Sequence, residues 1–92
     1  MLKSFADKET RRLFERDRSK IPPNIQRKAT ELLLLLNSAI SLADISTMPG
    51  NRLEKLTGDR RGFYSIRIND QWRICFRWEG VDAHDVEITD YH

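Results

Sequence analysis

Thr89-Asp90-Tyr91-His92 brings an acid, a phenol and an imidazole together. Such groups move protons. On an RNA strand the protons at issue are those of the 2′-hydroxyl and of the leaving 5′-oxygen. A frayed polar tail is the common alternative for residues so placed, so the trio gains meaning only from what the rest of the chain supplies. Arg73 is the second candidate. It lies between Trp72 and Ile74 in a stretch of alternating polarity. A strand arginine either pairs with a cross-strand carboxylate, here Glu87 or Asp85, or stabilises charge on a phosphoryl group in transfer. The third candidate is the segment from Gly50 to Gly62, which carries Arg52, Glu54, Lys55, Arg60 and Arg61. Glycines let a backbone approach a polyanion, and guanidinium groups bind phosphate in a bidentate fork. An ordinary connector with solubilising charge is the competing reading.

Metal chemistry has little to build on. The ligand types reduce to His84, His92 and Cys75, with no H-x-x-x-H, C-x-x-C or aspartate-rich calcium loop. Neither a dinucleotide fingerprint, a phosphate-binding Walker loop nor a G-x-S-x-G elbow is present. The expected chemistry is therefore free of metal and of organic cofactor.

The elements that must position these groups follow from size and pattern. With 92 residues, 39% hydrophobic and 33% charged, the sequence fits one soluble globular domain. A lone cysteine offers no internal disulfide, and the longest apolar run, Leu32 to Leu36, is too short to span a bilayer. No signal-like segment opens the chain, so the cytosol is the expected location and no membrane partner is expected. Net charge is only +2, but it is unevenly spread: seven Lys/Arg against three Asp/Glu from Pro49 to Trp78, then five acidic residues and no Lys or Arg from Glu79 onward. The cationic middle suits phosphate contacts, unless its acidic neighbour simply neutralises it.

Leu2 to Phe5 reads as a short strand. Asp7 is an N-cap candidate for a helix from Lys8 to about Arg16. After Pro22-Pro23 the three-to-four spacing of Ile25, Ala29, Leu32, Leu33 and Leu36 predicts a second helix ending near Ser38 to Ile40. Leu42 to Ile45 fits a further helical turn, and Met48-Pro49-Gly50-Asn51 a break. Leu53 and Leu56 suggest a short strand. Tyr64, Ile66 and Ile68 then alternate with Ser65 and Arg67. Trp72, Ile74, Phe76 and Trp78 alternate with Arg73, Cys75 and Arg77. Val86 and Ile88 alternate with Asp85, Glu87, Thr89 and Tyr91. The predicted fold class is α+β: a two-layer domain with N-terminal helices packed on one face of an antiparallel sheet. The opposite face, holding Arg67, Arg73, Arg77, Glu87 and Tyr91, is expected to be uncovered.

Together these segments resemble the HigB branch of the RelE/ParE toxins. The likeness is carried by Ser4-Phe5, Pro49-Gly50-Asn51-Arg52-Leu53-Glu54, Leu56-Thr57-Gly58-Asp59-Arg60, the run from Ser65 to Phe76, Val86-Glu87-Ile88 and Asp90-Tyr91-His92. It implies a RelE/ParE-like fold and a toxin paired with a HigA-type helix-turn-helix antitoxin, with operator DNA reached only through that antitoxin. It further implies entry into the A site of the small ribosomal subunit and metal-independent cleavage of translated mRNA by in-line attack of the 2′-hydroxyl. On matching positions, Arg73 would hold the scissile phosphate, His92 would transfer a proton, Asp90 would orient it, and Tyr91 would stack on a base or bond a phosphate. Some members carry a histidine and a lysine in the loop where this chain has Glu54 and Thr57. Glu54 then becomes a candidate proton acceptor and Arg52 its cationic partner, with Lys55, Arg60, Arg61 and Arg67 as further RNA contacts. On a straight last strand Tyr91 would share the face of Arg73 while Asp90 and His92 point away, so convergence requires the chain to twist or the strand to end near Thr89. A ParE-like DNA gyrase inhibitor and a non-catalytic RNA- or protein-binding module remain the alternatives. The charged first helix, Lys8 to Arg18, is a candidate antitoxin contact or a plain solvated face.

Overall fold

A computed structural model describes residues 1–46, 50 and 52–90. Three helices, α1 (Lys8–Phe14), α2 (Pro23–Ser38) and α3 (Leu42–Ser46), precede four strands, β1 (Glu54–Lys55), β2 (Phe63–Arg67), β3 (Trp72–Glu79) and β4 (Asp82–Asp90), with a 3-10 turn at Gly58–Arg60 between β1 and β2. The strands form one antiparallel sheet in the order β1-β2-β3-β4. This is the predicted α+β arrangement. No helix among the described residues is long and apolar enough to cross a membrane.

The core forms where the two periodicities meet. The α2 stripe of Ile25, Ala29, Leu32, Leu33 and Leu36 is buried, and it packs with Ile66, Ile74, Phe76, Val86 and Ile88 from the sheet. Proline fits at the start of α2 because the first helical N–H groups have no intrahelical partner. Asp7 caps α1 as expected, accepting the Thr10 N–H at 3.2 Å.

Helix α1 stops at Phe14, two residues short of expectation, because the chain closes there with a Schellman motif. The Asp17 N–H reaches the Arg12 carbonyl at 2.9 Å and the Arg16 N–H reaches Leu13 at 3.2 Å. That geometry places Arg16 at φ 62°, a left-handed conformation costly for a residue with a Cβ. Arg16 is exposed and its side chain makes no hydrogen bond or ion pair among the described residues. Arg16→Gly is therefore expected to stabilise the fold by about 1 kcal/mol. A thermal melt should show a rise of roughly 4–8 °C. An unchanged or lowered Tm would mean that the turn carries no such strain.

The expected first strand is reduced to two isolated parallel bridges to β4, Leu2 with Ala83 and Phe5 with Val86. Further along the β4 edge, the Ile88 N–H donates to Thr10 Oγ1 of α1 at 3.0 Å. The N-terminal segment and α1 thus cover an edge that would otherwise expose unpaired backbone groups.

Candidate active site

Strand register arranges the residues of the other sheet face in cross-strand rows. Arg67, Arg73 and Thr89 form one row; Glu54, Ser65, Cys75 and Glu87 form the next; Phe63, Arg77 and His84 form the third. The third row depends on a register shift between Cys75 and Arg77, where β4 carries an extra residue opposite β3. Asp85 lies at that bulge with φ 52°. The bulge reverses the alternation in β4. Ala83 becomes fully buried in the core, and His84 joins the arginines.

Arg73 is the centre of this face, and it is not bare. Its relative exposure is 6%. The expectation of an uncovered guanidinium is corrected here: the chain entering β1 folds across it. Arg73 Nε donates to Ser65 Oγ at 2.8 Å, and Nη2 donates to the Arg52 carbonyl at 2.8 Å. Glu54 Oε2 lies 3.8 Å from Nη2, at charge-pair distance without a direct hydrogen bond. The cross-strand partners expected for Arg73 are engaged elsewhere. Glu87 accepts from Arg60 Nη2 at 3.2 Å, and Asp85 accepts from Arg77 Nε at 3.3 Å. Arg73 is thus a buried cation whose fork is held in a fixed orientation by a hydroxyl and a main-chain oxygen. That is the preorganisation required of a group that stabilises developing negative charge.

The remaining candidates divide by location. Glu54 shares the row of Ser65, so the structure brings it to Arg73. Lys55 pairs with Tyr64 and is turned by alternation toward the helix-bearing side. Arg60 reaches across the face to Glu87, and its guanidinium carbon lies 4.9 Å from the centre of the Phe63 ring. Arg67 is tied to Asp70. Arg52 and Arg61 are exposed; among the described residues neither guanidinium has an ion-pair partner. β4 continues through Asp90 instead of ending near Thr89. Asp90 is paired in register with Trp72, and its Oδ2 accepts from Gln71 Nε2 at 3.1 Å. It is therefore on the side of Trp72, not of Arg73. Tyr91 and His92 lie outside the described residues, as do Thr47, Met48, Pro49 and Asn51.

Cys75, the cross-strand partner of Ser65, is 5% exposed. Burial pushes its thiol pKa up, against the lowering influence of Arg60 and Arg73. It therefore stays protonated near neutral pH, and its role is to pack. No group of three or more His, Cys, Asp or Glu side chains positioned to hold a metal ion occurs among the described residues.

Sequence reasoning missed two features. Ser65 lies on the expected face, but its alternation alone does not mark it as the hydroxyl that fixes Arg73. His84 was not assigned to this face at all, because strict alternation from Val86 and Ile88 turns it inward. The apolar spacing held the signal: Ala83, Val86 and Ile88 are separated by three and then two residues. A three-residue step inside a strand is the mark of a bulge.

Residues 3–92 match the family model for the RelE-like toxin of the type II toxin–antitoxin system HigB. The chain is 37% identical over 84 residues to Toxin HigB-1 of Vibrio cholerae, covering 88% of each sequence. It is 31% identical over 93 residues to Endoribonuclease HigB of Proteus vulgaris, covering 100% of each. The chain belongs to the HigB-like family of RelE-like toxins of type II toxin–antitoxin systems.

Proposed function

We propose that this chain, acting as one toxin domain over residues 1–92, is a ribosome-dependent endoribonuclease that cleaves translated mRNA in the A site and so arrests translation. The observation that carries the reading is Arg73, a guanidinium fixed by Ser65 Oγ at 2.8 Å and the Arg52 carbonyl at 2.8 Å, with the exposed cations Arg52 and Arg61 in the segments that precede β1 and β2. Its relative named Endoribonuclease HigB, aligned over the full length, supports the same activity.

In this mechanism the RNA 2′-oxygen attacks the adjacent phosphorus in line as its proton passes to a base. The P–O5′ bond breaks, and the departing 5′-oxygen takes up a proton. RNA supplies the nucleophile, and Arg73 opposes the charge growing on the phosphoryl oxygens. Proton transfer falls to Glu54, which stands at charge-pair distance from Arg73, or to His92, with Tyr91 on a base or phosphate; Asp90 faces the side of Trp72 and would orient His92 from there, not from the Arg73 side. Arg52, Arg60, Arg61 and Arg67 hold the strand through its phosphates, while Lys55, turned to the helix-bearing side, is not among these contacts.

Type II toxins have an antitoxin partner. The partner proposed here is of the HigA helix-turn-helix type, the second partner is the small ribosomal subunit with its mRNA, and the compartment is the cytosol. A reconstituted translation reaction with primer extension tests the activity. The expected result is cleavage at A-site codons only when ribosomes are present. Intact message together with inhibited DNA gyrase supercoiling would replace this reading with gyrase poisoning. Co-expression with the neighbouring open reading frame is expected to yield a stable toxin–antitoxin complex.

A further inference from the structure

The row formed by Phe63, Arg77 and His84 is not used in the mechanism above, and it has an unusual composition for an exposed sheet surface. Phe63 is half-buried yet belongs to the arginine face and not to the core cluster that takes in its neighbours Tyr64 and Ile66. The Arg60 guanidinium lies 4.9 Å from the centre of its ring, and the same guanidinium is held by Glu87 at 3.2 Å. Across Arg77, the bulge at Asp85 turns His84 onto the same face. The His84 side chain makes no hydrogen bond or ion pair among the described residues. Arg77 is anchored by Glu79 and by Asp85. One row therefore offers a phenyl ring, a guanidinium tied down by carboxylates and an uncommitted imidazole.

We propose that this row is a nucleobase-stacking subsite, with Phe63 and the overlying Arg60 as its platform and His84 as its outer wall. The proposal rests on the ribonuclease reading and extends it from phosphate to base. Unpaired RNA bases stack on aromatic rings and on guanidinium planes, and a β-sheet face is a common support for such rings. Placement favours this occupant. Phe63 is four residues from Arg67 along β2, and Arg77 four residues from Arg73 along β3, so the two rows are roughly 13 Å apart at about 3.3 Å per residue. A single strand with its scissile phosphate at Arg73 would pass this row within a few nucleotides, over a surface whose other cations suit its backbone. Arg60 would serve both ends, stacking through its plane while Glu87 fixes its orientation.

The test uses the full chain and non-cleavable 2′-O-methyl RNA oligomers, each with one base removed at a successive position, read by fluorescence anisotropy. For the native protein, loss of one particular base is expected to weaken binding roughly 5- to 150-fold, the range for a single aromatic stack. In Phe63→Leu that penalty should vanish while the other positions are unchanged, and Phe63→Trp should restore it. Leucine keeps apolar bulk at the site, and a thermal melt verifies the fold. Equal penalties in the native protein and Phe63→Leu would overturn the proposal. So would binding of the intact oligomer no better than that of a fully abasic one. Base-dependent binding through Phe63 without cleavage on ribosomes would instead count against the ribonuclease reading alone.

Discussion

Arg73→Ala is expected to lower ribosome-dependent cleavage by about 10²–10³-fold, the usual cost of removing one preorganised donor from a site of developing charge. Arg73→Lys should recover little of it. The guanidinium is held by two different atoms at once, Nε to Ser65 Oγ and Nη2 to the Arg52 carbonyl, both at 2.8 Å. A lysine ammonium is a point donor on a flexible stem and cannot satisfy that fork while also facing a phosphate. The loss has to be separated from unfolding. Truncation leaves the Ser65 hydroxyl and the Arg52 carbonyl without this donor, at about 1–3 kcal/mol for a buried group left unsatisfied. Glu54 adds little, because its side chain is half exposed and rehydrates when its partner is gone. A domain of this size has roughly 5–14 kcal/mol of stability, so Arg73→Ala stays mostly folded at 25 °C. Single-turnover cleavage beside a melt of the same sample decides the matter. Near-native cleavage by a folded Arg73→Ala would remove Arg73 from the chemistry.

The helices and three of the strands were legible because each obeys one period throughout. The five α2 residues read from spacing are the five that are buried, and Trp72, Ile74, Phe76 and Trp78 all face or flank the core. What could not be read depended on contacts between segments distant in sequence. Nothing near Arg73 states that the chain before β1 will lie across it, so an arginine expected in the open is buried. Nothing near Arg16 states that α1 ends there, except the turn that closes around it. The Asp85 bulge was the costliest omission, since one inserted residue exchanges inside for outside at Ala83 and His84 before it. The site was therefore legible as a set of residue types on one face, while its internal pairing was not. Glu54 joined Arg73, Glu87 went to Arg60, and Asp85 went to Arg77.

Phe76→Ala should produce the largest loss of stability of any single substitution considered, about 3–5 kcal/mol. Phe76 is fully buried at the middle of β3. Its ring is stacked on Tyr64 at 6.1 Å between centroids and meets the edge of Trp78 at 6.3 Å. It belongs to the same buried cluster as Val86 and the α2 stripe. Truncation leaves a cavity bounded by strands whose register is fixed on both sides, so the surroundings cannot close in to recover the lost contacts. Urea unfolding should show a lower midpoint with an unchanged slope, and Tm should fall by at least about 12 °C. A loss below about 1 kcal/mol would mean that the core repacks and that Phe76 is not its keystone. The same variant separates two routes to lost toxicity. A partner that binds only the folded chain, present at 100 times its Kd, contributes about 2.7 kcal/mol to the native state, and the antitoxin is expected to act in this way. Adding antitoxin should therefore raise the melting temperature of Phe76→Ala toward that of the native chain, whereas no amount of such binding restores a guanidinium to the phosphate in Arg73→Ala.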